Sequence, residues 1–98
     1  MQKNVAKNAG IRLSKVGNNF QVAIDLLSKG EQRLLLPIML SPELPTRDEA
    51  LKRIAEVAYA FIGDALKIRS VVFSDETGED GLSALFVLNL ETLKVREF

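Results

Sequence analysis

Four carboxylates crowd the stretch SDETGEDG (Ser74–Gly81): Asp75, Glu76, Glu79 and Asp80. Oxygen-rich clusters of this kind suit hard cations such as Ca²⁺ or Mg²⁺. The spacing does not fit a twelve-residue calcium loop, which needs acids at alternate positions, a central glycine and a terminal glutamate. The stretch therefore reads as a solvated hairpin connection whose turns use Gly78 and Gly81, and no metal site is assigned.

The opposite charge gathers near the other end. Residues 1–33 hold six Lys/Arg (Lys3, Lys7, Arg12, Lys15, Lys29 and Arg33) against two acids, whereas residues 69–98 hold three against six. With Asn4, Asn8, Asn18 and Asn19 the first group could touch phosphates. The whole chain, however, has 13 basic and 13 acidic side chains. Zero net charge argues against nucleic acid as the principal partner, because phosphate binding needs concentrated positive charge. The simpler expectation is that the two ends neutralise each other across a sheet.

What is missing narrows the chemistry further. The 98 residues include no His and no Cys. That excludes disulfides, thiolate nucleophiles, Ser-His-Asp relays and the common zinc sites. Glu56 and Asp64 lie more than two helical turns apart and do not form an acid pair. Tyr59, the only phenol, sits at the margin of an apolar arc and reads as packing with a wet hydroxyl. Glycine-rich phosphate loops and nucleophile elbows are absent. No catalytic, cofactor-binding or metal residue is assigned, and a non-enzyme is expected.

These residues must be carried by a fold. Length and a 47% apolar, 27% charged composition suit one domain with a genuine core. Residues 1–9 read as a polar, flexible arm and residues 10–98 as a single α+β domain. IRLSKV and FQVAIDLL flank Gly17-Asn18-Asn19, a hairpin signal, and Phe20, Val22, Ile24 and Leu26 alternate along the second strand. A further turn is expected at Ser28–Glu31. RLLLPIML is a third strand in which Pro37 implies an edge, a bulge or a bend. Pro42 and Pro45 lead to Thr46 as helix N-cap, with Glu49 as its capping-box partner. The helix should run to about Leu66 or Lys67, with Glu49–Arg53 and Asp48–Lys52 pairs on its wet face. RSVVFS, LSALFVLNL and ETLKVREF complete the order β-β-β-α-β-β with a possible final β. The sheet is expected to be antiparallel or mixed, of five to six strands, packed on one long helix.

Three strands before a capped helix (TRDEALKRIAEVA) is also the order of the arm-binding domains of tyrosine recombinases. It occurs likewise in antitoxin partners of small RNA-cleaving toxins. The basic, aromatic sheet face expected of the former is lacking, and neither family is assigned.

The helix poses the sharpest question. Its apolar arc spans roughly 200° of the wheel, about twice the stripe needed to lie on one sheet. Ala55, Tyr59, Ile62 and Leu66 form a second ridge at i, i+4, i+7, i+11 beside the core-facing one. Three covers are open: the chain itself through a curled sheet or its first fifteen residues, a second copy, or another protein or apolar ligand. The specific hypothesis is a homodimer meeting at or near Ala55, Tyr59, Ile62 and Leu66. A small apolar ligand-binding domain is the alternative, and a nucleic-acid accessory domain the third. MQKNVAKNAG has no apolar core of a secretory signal and no stretch is long enough to span a bilayer. A cytoplasmic protein with no cofactor is expected.

Overall fold

The computed structural model describes residues 9–27, 34–62 and 69–98. They form six strands and one helix: β1 (Ala9–Val16), β2 (Asn19–Leu27), β3 (Leu34–Leu40), α1 (Arg47–Ile62), β4 (Ser70–Asp75), β5 (Ala84–Asn89) and β6 (Val95–Glu97). The fold is α+β, with all strands in one mixed sheet of order β3-β2-β1-β4-β5-β6. Two antiparallel meanders, β1-β2-β3 and β4-β5-β6, meet at one parallel seam where Ile11 lies opposite Phe73 and Leu13 opposite Asp75. Strand β1 takes in Ala9; the rest of the expected arm and the turn at 28–31 lie outside the described residues.

Local chemistry explains the elements. Gly17 and Asn18 join β1 to β2, and Gly17 has φ 62°, the positive value that the first central residue of a tight hairpin turn requires. Strand β3 is an edge, and its register against β2 shifts between Ile24 and Asp25, where Pro37 lies opposite Asp25. A residue without an N–H is tolerated at such a place. At the helix start the Thr46 hydroxyl accepts from the Glu49 N–H at 3.2 Å. Glu49 does not reach back to the backbone; its carboxylate accepts from the Thr46 hydroxyl at 3.1 Å. Arg53 pairs with Glu56 at 3.2 Å, three residues on, in place of the expected Glu49, and no Asp48–Lys52 pair occurs among the described residues. The stretch expected to carry the helix beyond Ile62 lies outside them.

Alternation assigns the two faces of the sheet. One parity, including Leu13, Val22, Ile24, Phe73 and Leu88, meets α1 through Ala50, Ile54 and Ala58, all essentially without solvent contact. Phe73 and Phe86 stack across β4 and β5 with ring centroids 6.0 Å apart. At about 25 cal/mol per Å² of apolar surface, each large side chain here contributes about 2 kcal/mol. The other parity has no described element lying over it. No helix among the described residues is long and apolar enough to cross a membrane.

Candidate interaction surfaces and a polar girdle

The expected ridge on α1 divides. Ala55 is 8% exposed and belongs to the core, so the chain itself covers this part of the wide arc. Tyr59 is 40% exposed. The described part of α1 ends at Ile62, whose side chain lies outside the described residues, as does Leu66. Leu51 and Val57 are buried too, so the first three turns present most of their apolar arc inward.

The sheet face away from α1 buries Ala23, Asp25 and Val87 but also carries exposed apolar side chains that the sequence pattern does not single out. Among the described residues the exposed large hydrophobics are Val16, Leu40, Tyr59, Val72, Leu82, Leu85 and Phe98. Strand register puts five of them on this one face. Arg12 lies opposite Ala23, which lies opposite Leu40; on its other side Arg12 lies opposite Ser74, and Ser74 opposite Leu85. Phe98 extends that row, its N–H donating to the Leu85 carbonyl at 3.1 Å. Val72 shares the parity of Ser74, and Val16 that of Arg12. Leu85 is 50% and Phe98 75% exposed.

The middle of that row is polar and internally satisfied. Arg12 donates from Nε and Nη2 to the two carboxylate oxygens of Asp25, at 2.6 and 3.1 Å, and its Nη1 lies 3.9 Å from Glu76. The fork geometry suits a guanidinium and a carboxylate. Hydrogen bonding to Asp25 raises the Arg12 pKa above its ordinary value, outweighing the opposite effect of burial. Asp25 itself is buried. Glu76 joins the two termini's charges as expected, but Asp25, from the same half of the chain, is the closer partner.

A second ion pair ties the helix start to the seam. Arg47 donates to Asp75 at 2.9 Å, and Asp75 also accepts from the Thr77 N–H and hydroxyl at 2.8 and 2.6 Å. Burial works against the charge on Asp75, but the two Thr77 hydrogen bonds and Arg47 outweigh it and hold the carboxyl below its usual value. The acidic loop thus spends Asp75 on structure, while Asp80 accepts from the Leu82 N–H at 3.0 Å to shape its own turn. No group of three potential metal-ligating side chains occurs among the described residues.

Of the basic residues in the first third, Arg12 and Lys15 have described side chains. Register places them on opposite faces. Lys3, Lys7, Lys29 and Arg33 lie outside the described residues. An open cleft of about 440 Å³ runs beside Phe86, lined by Asp75, Thr77 and Asp80 together with Leu82 and Ala84.

Set against protein-family models, curated proteins and solved structures, the chain matches none.

Proposed function

We propose that the chain is a small, non-enzymatic, cytoplasmic interaction module that associates with a second copy of itself as a homodimer. One observation carries this reading: Val16, Leu40, Val72, Leu85 and Phe98 are exposed together on the sheet face that α1 does not cover. Soluble monomers rarely leave such side chains gathered on one surface. A second copy fits as the occupant for two reasons. Sheets pack face to face readily, and a two-fold axis lets one patch serve both partners. The charges in the centre of the face are already paired through Arg12, Asp25 and Glu76, and the chain has zero net charge.

Light scattering across a concentration series tests the reading. A mass near twice 10.8 kDa that persists on dilution is expected, and Leu85→Glu should reduce it to the monomer while leaving the circular dichroism spectrum unchanged. A dimer that survives Leu85→Glu but is split by Tyr59→Glu would move the contact to the helix ridge. A monomeric wild-type chain would remove the proposal.

A further inference from the structure

The three basic residues of the C-terminal third, Arg69, Lys94 and Arg96, all line one cleft of about 450 Å³. They arrive from separate places: Arg69 immediately before β4, Lys94 from the turn after β5, and Arg96 from β6. Ser70, Asn89 and Thr92 add hydroxyl and amide groups, and Val87 supplies apolar floor. Among the described residues no carboxylate lines the cleft. Glu97, next to Arg96, falls on the other parity of β6, opposite Phe86.

Two features distinguish this cluster from scattered surface charge. Arg12, Arg47 and Arg53 each engage a carboxylate, whereas none of the three cleft residues forms an ion pair among the described residues. The turn that delivers Lys94 is also held in place. Asn89 Oδ1 accepts from the N–H groups of Glu91 and Thr92 at 2.8 and 2.9 Å, and the Asn89 N–H donates to the Lys94 carbonyl at 2.9 Å. Between them Leu93 adopts φ 61°, a conformation that costs a branched residue energy and persists where its surroundings impose it. Leu93 packs against the core, so the turn is anchored from beneath.

We propose that this cleft binds a phosphate-bearing small molecule. Two guanidinium groups offer the planar, paired donors that match phosphate oxygens, and a lysine adds a third charge from the side. Serine and threonine hydroxyls complete such a shell, and Val87 can lie against the rest of the ligand. A cleft of this volume exceeds a bare phosphate and is in the range of small-molecule sites.

The site is tested on the full ¹⁵N-labelled chain, titrated at constant ionic strength with inorganic phosphate, adenosine monophosphate and, as control, sodium chloride. Saturable shifts are expected for Ser70, Asn89, Thr92, Lys94 and Arg96 with the two phosphate probes and not with chloride. Lys94→Gln and Arg96→Gln should each weaken binding about tenfold with an unchanged far-ultraviolet spectrum. Unsaturable shifts, shifts spread over the surface, or equal binding by the Gln variants would each overturn the proposal. Binding of single-stranded RNA at these residues without response to either small probe would also overturn it, in favour of a polymer.

Discussion

The two faces of the sheet are built from the same six strands, yet they obey different rules. Towards α1 the residues are mostly apolar, with the ion-paired Asp75 at one end, and Leu13, Ile54, Phe73 and Leu88 lose essentially all contact with water. On the other side, over which no described element lies, a paired arginine stands between apolar ends, Leu40 at one edge and Leu85 with Phe98 at the other. Packing on the helix, with the Arg47–Asp75 pair at its start, accounts for the first face. It does not account for the second, whose exposed valines, leucines and phenylalanine add nothing to the core. What folding does not need is the better guide to what the surface does.

Changes on each face should break or sharpen that contrast. Phe73→Ala should have the largest effect, costing about 4 kcal/mol, because the hole it leaves lies beneath α1 and cannot collapse fully; the midpoint of urea unfolding measures it. Arg12→Ala should cost about 3 kcal/mol although it lies on the other face, since it strands the buried Asp25 carboxylate. If that loss falls below about 1 kcal/mol, the ion pair is not what orders the centre of the second face. Asp75→Asn should cost about 1–2 kcal/mol at neutral pH. With its folded pKa lowered, Asp75 contributes stability that is present above the unfolded carboxylate value near about 4 and is lost as pH falls through the folded pKa. The Asn variant should therefore lose less stability than the wild type on acidification, as read by thermal melts across pH 2–6. Leu85→Ala should be smallest, within about 0.5 kcal/mol for the monomer. A large loss there would show that the second face carries folding energy after all.

Much of the fold was legible because period-two alternation is a local property. Phe20, Val22, Ile24 and Leu26 announce their shared face by alternation, and of these Val22 and Ile24 are buried and Phe20 partly so. The Thr46 cap and the edge position of Pro37 followed from one residue's hydrogen-bonding capacity each. The parallel seam was not legible, since alternation tells which side a residue faces and not which strand stands beside it. The wide apolar arc of the helix was visible, but a wheel cannot show that the chain's own core takes in Ala55. The cleft is hidden by averaging: residues 69–98 are acidic in sum, and three cations separated by up to two strands and their connections come together only when β4, β5 and β6 pair. By composition Arg12 is one of six positive charges; only the pairing of β1 with β2 brings Asp25 beside it as its partner.

The seam between β1 and β4 has a consequence in time. Each meander pairs neighbours in sequence and can form quickly, but Ile11 and Phe73 are joined by a loop of about sixty residues, whose closure is costly before any contact rewards it. The halves should therefore take shape separately and unite late, with the helix carried in by the connection between them. Until they unite, β1 and β4 are both unpaired along one edge, and a newly made chain is most exposed to wrong pairing at the same place that later becomes its centre.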